Sequence, residues 1–176
     1  MIVLVPRRLL TAMTNERIAH LPNETGGFLI GTRRGPHIEV TELTTQGRGD
    51  RSTSTTFERL CPSHRERIHS AWRSSGATET MVGDWHSHPV GSSRPSGTDR
   101  SAWRSLVRSN GLPMIGVIDA GATKPGVYLA VGGRRPVESE LAAIDDDGDA
   151  LFFGFPAASA AMRPCGWRSR FHRMPK

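Results

Sequence analysis

The stretch from Gly83 to Asp99, GDWHSHPVGSSRPSGTD, constrains the fold more than any other part of the chain. Residues 79–85 alternate weakly and read as a strand, and that strand delivers His86 and His88. Side chains two apart on a strand share a face, so both imidazoles point the same way and Ser87 points opposite. After Pro89 the segment VGSSRPSG is made of turn residues almost throughout. Ser96 or Thr98 can then cap a helix that runs through Trp103, Leu106 and Val107 to Asn110-Gly111. The fold must therefore hold the end of a strand against the start of a helix.

The remaining apolar runs supply the sheet. Residues 2–5 form a β-branched run closed by Pro6, suited to a first or edge strand. Leu9, Leu10, Met13, Ile18 and Leu21 recur at helical steps, which predicts an amphipathic helix over 8–21 that stops at Pro22. Residues 28–30, entered through Gly26-Gly27, and residues 38–43 predict a hairpin turning near 34–36. A polar loop over 44–56 leads into a short strand over 55–60, and a second helix spans 62–75. Residues 114–118 and 127–131 form a closing hairpin. Hairpins and helical crossovers together predict an α/β fold on a mixed sheet. Beyond Arg135 the periodic signal fades. Residues 1–135 are therefore assigned to one domain, and 136–176 to a C-terminal extension that is partly irregular or disordered.

Composition narrows the partners. A chain of 176 residues with 36% hydrophobic content fits one domain and not two large ones. The net charge of +6 comes almost wholly from arginine, and only Lys124 and Lys176 are lysines. The arginines are spread along the chain, which reads as a solvated basic surface rather than a nucleic-acid footprint. Their densest cluster is the terminal run RPCGWRSRFHRMPK. No uncharged run reaches the roughly 18 residues a membrane span needs. Cys61 and Cys165 stand far apart, without the spacing of a zinc knuckle, so the chain is expected in the cytoplasm.

The chemistry of the central stretch is set by its spacing. Two imidazoles whose Cα atoms are about 6.5–7 Å apart can meet one zinc ion at about 2.0–2.1 Å each. Asp99, at the start of the following helix, can supply a third ligand and leave one position open, as catalytic sites do. Ser96 lies three residues before Asp99, where its hydroxyl can serve a developing oxyanion. For a base, Glu24 holds a modest lead because it precedes Gly26-Gly27 and the strand expected beside the histidines. Glu39, Glu42, Glu58 and Glu79 compete from charged settings, and Asp84 reads as a residue of the outer rim or a neighbour of the ligand face rather than a fourth ligand. Ser96 and Asp99 also read simply as a helix cap and first turn, and Trp85 as a packing residue.

The joint spacing resembles the JAMM, or MPN-plus, metalloprotease family. Its motif is a distant upstream glutamate, then His-Ser/Thr-His-Pro, seven residues counted from that proline, and Ser-x-x-Asp. Here HSHP is His86 to Pro89, SGTD is Ser96 to Asp99, and ETGGFLIG from Glu24 to Gly31 resembles the glutamate segment. The match runs from about residue 5 to 132. The resemblance implies a JAMM-like, cytidine-deaminase-like curved mixed β-sheet flanked by helices. It also implies Zn2+ held by His86, His88 and Asp99, with Glu24 as general base and then acid, and Ser96 stabilising the tetrahedral intermediate.

By that resemblance the expected activity is hydrolysis after the C-terminal glycine of a ubiquitin-like protein, by deconjugation or by precursor processing. The GDWHSHP wording is similar to bacterial members encoded beside ubiquitin-transfer-like enzymes in antiphage operons, which implies an activating enzyme as a neighbour. Processing of a sulfur-carrier protein keeps the same chemistry with another substrate. A non-catalytic scaffold or nucleic-acid module on this fold is the contrasting class.

Overall fold

The computed structural model describes residues 1–122 and 124–155, and the basic terminal run lies outside them. Its first strand, β1 (Ile2–Pro6), leads into helix α1 (Arg7–His20), and β2 (Gly26–Arg34) and β3 (His37–Leu43) form the expected hairpin. A ribbon of β4 (Arg51–Ser52) and β5 (Phe57–Glu58) precedes α2 (Ser63–Ser74). Strand β6 (Glu79–Ser87) is followed by α3 (Gly97–Asn110), β7 (Met114–Asp119) and β8 (Gly126–Ala130). Three further strands close the sheet: β9 (Val137–Glu138), β10 (Glu140–Ile144) and β11 (Ala150–Gly154).

Nine strands form one curved, nearly closed mixed sheet in the order β10, β11, β1, β3, β2, β6, β7, β8, β9. The two parallel pairs, β1 with β3 and β6 with β7, arise because α1 and α3 carry the chain across the sheet. Helix α3 is bounded by local chemistry. Ser96 and Asp99 form a reciprocal capping box at its start, and Gly111 ends it in the left-handed conformation at φ 69°.

Two sequence expectations change here. Residues 137–154, assigned to an extension, join the sheet, and β11 pairs antiparallel with β1 from Ile2↔Gly154 to Pro6↔Ala150. That pairing leaves β1 as the first strand but places it inside the sheet, so of the two readings of residues 2–5 the edge is the one removed. The physical reason is that β11 buries Leu151 and Phe153 in the main core, a contact between distant segments that leaves little periodic trace. Residues 156–176, the rest of the assigned extension, lie outside the described residues.

Alternation along β7 separates two cores. Ile115 and Val117 pack with Leu9 and Met13 of α1, while Met114 and Ile118 pack with Trp103 and Val107 of α3. On β6, Trp85 joins the first core, so Asp84 and His86 face the side covered by α3. The site is built on that face.

Candidate metal centre

Three side chains converge. Strand β6 presents His86, the residue just after it is His88, and the first turn of α3 presents Asp99. His86 Nε2 lies 3.2 Å from His88 Nε2 and 3.4 Å from Asp99 Oδ1, and His88 Nε2 lies 3.7 Å from Asp99 Oδ2. Four ligands held tetrahedrally at about 2.0–2.1 Å stand about 3.3–3.4 Å apart, and the closest approaches among the three side chains, which use one Asp99 oxygen toward His86 and the other toward His88, lie near that spacing. Among the described residues, these three form the one group of metal-ligating side chains whose donor atoms lie within 4.8 Å of one another.

The surroundings orient the donors. His88 Nδ1 is 2.7 Å from the Ser92 carbonyl, so it donates there and turns the Nε2 lone pair of the neutral ring inward. The His88 amide donates to the Asp119 carbonyl at 2.8 Å. Burial pushes the Asp99 carboxyl up, but His86, His88 and Ser96 outweigh it and hold the group well below the usual carboxylate range. His88 is raised, chiefly by the Asp99 carboxylate, against its burial. An imidazole pair with lone pairs converging on a carboxylate is a set of donors suited to a cation.

Glu24 stands beside them, 7% exposed. Burial raises its pKa, while the His86 and His88 rings act in the opposite sense. Its backbone is held on both sides: its amide donates to the Thr53 carbonyl at 2.7 Å, and its carbonyl accepts from Ser52 Oγ at 2.5 Å. Ser87 clamps the next residue. Its amide donates to the Thr25 carbonyl, and its Oγ accepts from the Thr25 amide at 3.0 Å.

Gly27 and Gly26 are required by close approach. A Cβ on Gly27 would lie 1.8 Å from the Thr44 carbonyl oxygen, and one on Gly26 2.4 Å from that of Trp85. Three of the four competing glutamates pair with arginines: Glu39 with Arg34, Glu42 with Arg67, and Glu58 with Arg51. Ser96 Oγ accepts the Asp99 amide at 3.1 Å, and as a hydroxyl it also carries a proton that it can donate. Cap and candidate donor are thus compatible roles of one hydroxyl.

Sequence reasoning missed the frame behind the site. Asp84 is 2% exposed, which removes the rim and leaves the place beside the ligand face. Its step of two from His86 was the available signal. His64 is likewise buried, bonded at 2.6 Å to Thr44 Oγ1 and at 2.8 Å to Asp50 Oδ2. Asp50 also accepts from the amides of Gly47, Leu60 and Cys61. This network braces the loop that holds Glu24.

Burial raises the Asp50 pKa, but the amides of Gly47 and Cys61 and the His64 ring outweigh it and lower the group below its ordinary 3.8. A carboxyl depressed in the folded chain contributes stability that is full above the unfolded value and lost as pH falls through the folded one. Urea unfolding should therefore show a steeper loss from about pH 4.5 to 3 in wild type than in Asp50→Asn.

Comparison with known proteins is decisive for the family, because the model for prokaryotic homologs of the JAB domain matches residues 6–140. The chain belongs to this family. A relative from Vibrio cholerae, named CD-NTase/cGAS isopeptidase, is 32% identical over 110 residues, covering 62% of this chain and 70% of the relative. One of the same name from Escherichia coli is 28% identical, covering 74% and 76%. A probable metalloprotease, y4qB, from Sinorhizobium fredii is 29% identical, covering 75% and 77%.

The solution structure of protein DSY2949 from Desulfitobacterium hafniense aligns with a TM-score of 0.58 at 23% identity. It covers 77% of this chain and 88% of that one, and it supports the fold alone. The JAB domain and these names support a JAB-type hydrolase, and the donor triangle suggests a metal. No helix among the described residues is long and apolar enough to cross a membrane.

Proposed function

We propose that this JAB-domain chain is a zinc-dependent isopeptidase that hydrolyses the bond after the C-terminal glycine of a ubiquitin-like protein. The observation that carries the reading is the convergence of one donor atom each from His86, His88 and Asp99 within 4.8 Å of one another, beside a buried glutamate. His86, His88 and Asp99 would hold the ion and leave one position of the tetrahedron open. Zinc, when bound, supplies a polarised carbonyl and a water acidified to a pKa of about 7.

The chain's own residues do the rest. Glu24 takes the proton of the attacking water and returns it to the leaving amine as the C–N bond breaks, which yields a carboxylate and a free amine. Its burial favours the protonated form needed in the second half of that cycle. The Ser96 hydroxyl donates to the carbonyl oxygen as charge develops there.

The relatives named as CD-NTase/cGAS isopeptidases favour deconjugation over precursor processing, with a conjugate of a CD-NTase-type protein as substrate and an activating enzyme as its source. That association also fits a role in antiviral defence in the cytoplasm. A groove of about 660 Å³ between α2 and α3 offers a place for the protein partner, with Trp72 half exposed beside Ile68, Met81 and Leu106 and with Arg65 and Arg73 along it. Trp72→Glu should raise KM for a folded ubiquitin-like substrate by about tenfold or more and leave cleavage of a short peptide unchanged, as expected for an aromatic anchor.

The central test is elemental analysis of the purified chain together with cleavage of a ubiquitin-like protein fused or conjugated through its terminal glycine. About one zinc per chain, and cleavage abolished by a chelator and restored by zinc, is the expected result. A chain that takes up no zinc and cleaves no such substrate overturns the reading.

A further inference from the structure

A buried ionic hub sits behind the metal centre and touches all three segments that build it. Arg59 Nε donates to the Gly27 carbonyl at 3.0 Å, and its Nη2 donates to the Trp85 carbonyl at 2.6 Å. The same Nη2 lies 3.1 Å from Asp84 Oδ2, and the guanidinium is packed near the rings of Phe28 and Phe57. The other Asp84 oxygen, Oδ1, accepts from Trp103 Nε1 at 2.6 Å. The side chains of Arg59 and Asp84 are 13% and 2% exposed.

The connections run to the ligands by short, stiff routes. Asp84 precedes His86 by two residues on β6 and shares its face. Trp103 follows Asp99 by four residues on α3, one helical turn away on the same side. The Trp103 ring centroid lies 6.5 Å from that of His86 and 5.6 Å from that of Tyr128. Opposite it, Gly116 leaves room that a Cβ would fill, since that atom would stand 2.0 Å from the indole Cζ2. The indole is therefore fixed against β7, and Asp84 fixes it to β6.

Stability alone does not account for such a hub. A buried ion pair bears a large desolvation cost and can often be replaced by apolar residues without loss of stability. What an apolar contact lacks is direction, which hydrogen bonds to two backbone carbonyls, a carboxylate and an indole supply.

We propose that Arg59, Asp84 and Trp103 are positioning residues that set the separation between Asp99 and the two histidines. They thereby set the affinity and geometry with which the centre takes a divalent cation. This rests on the metal reading of the site. Outer partners of metal ligands carry effects of about 10- to 100-fold in affinity when removed.

Trp103→Phe keeps an aromatic ring in the core and removes the N–H together with the pyrrole part of the indole. The double variant Arg59→Met, Asp84→Leu removes the charges together. Zinc affinity is measured by competition with a chromophoric chelator, the visible absorption of the Co2+-loaded chain reports ligand geometry, and circular dichroism reports folding. Both variants should fold, bind zinc about 10- to 100-fold more weakly, and show a shifted cobalt spectrum. Folded Trp103→Phe with wild-type zinc affinity and a superimposable cobalt spectrum overturns the proposal. Should that variant not fold, the double variant decides by the same two readings. A wild-type chain that binds neither ion removes the metal reading itself, whereas equal binding by wild type and variants removes only the hub.

Discussion

Glu24→Gln should leave zinc content intact and lower kcat by about 10²- to 10⁴-fold, the range lost with a general acid–base group. The glutamine is isosteric and keeps the backbone bonds to Thr53 and Ser52, so the segment stays in place. What it cannot do is accept the proton of the attacking water or return one to the amine. The same exchange has a second effect on the metal-free chain. Burial raises the folded-state pKa of Glu24, so ionisation at neutral pH opposes folding, and stability falls as pH rises from the unfolded value through the folded one. Removing that charge should raise the denaturation midpoint of the apo chain at pH 7. Activity within twofold of wild type would remove Glu24 from the mechanism.

The next largest effects belong to the ligands. Structural zinc is held with about 10–16 kcal/mol by four ligands, so each is worth about 2.5–4 kcal/mol, or about 10²- to 10³-fold in affinity. His88→Ala and Asp99→Asn should lose zinc by about that factor, read by chelator competition. Asparagine can still accept the Ser96 amide, which keeps the start of α3 formed while removing the charge. Ser96→Ala should do the reverse. It keeps the zinc, lowers kcat by about 10²- to 10³-fold, and costs about 1 kcal/mol of stability through the lost cap. Equal loss of metal in all three variants would show that the division between ligands and donor is wrong.

Local chemistry is what made parts of this molecule legible in its sequence. The bounds of α3 follow from Ser96 and Gly111, a cap and a left-handed terminus, both read from a few neighbouring residues. The shared face of His86 and His88 follows from the period of a strand alone. The place of Glu24 before Gly26-Gly27 gives it a modest lead as the base and the motif spacing strengthens it, and the structure buries it near His86, His88 and Asp99.

The rest depends on partners distant in sequence. Asp84 and Arg59 are charged residues that default to the surface, and only their mutual pairing across 25 positions makes burial tolerable. The even spacing of Asp84 from His86 encodes which face it takes, but nothing local encodes its partner. His64 sits on a helix whose exposed face is strongly charged, and nothing nearby marks Asp50 as its partner. Strands β9 to β11 are only two to five residues long, too short to show a period, so their place in the sheet is decided by β1 and β8.

The pairing of β1 with β11 has a consequence for how the chain emerges from a ribosome. Synthesis runs from the N-terminus, so β1 and β3 can join early through the crossover helix, but the other edge of β1 has no partner until residue 154 has been made. Contacts of such long sequence separation raise contact order and slow the final closure. Meanwhile an apolar strand bearing Val3 and Val5 offers unpaired backbone groups to any other chain. The nascent protein is thus most prone to association with neighbours, or most in need of a chaperone, in the interval between completing α3 and completing β11.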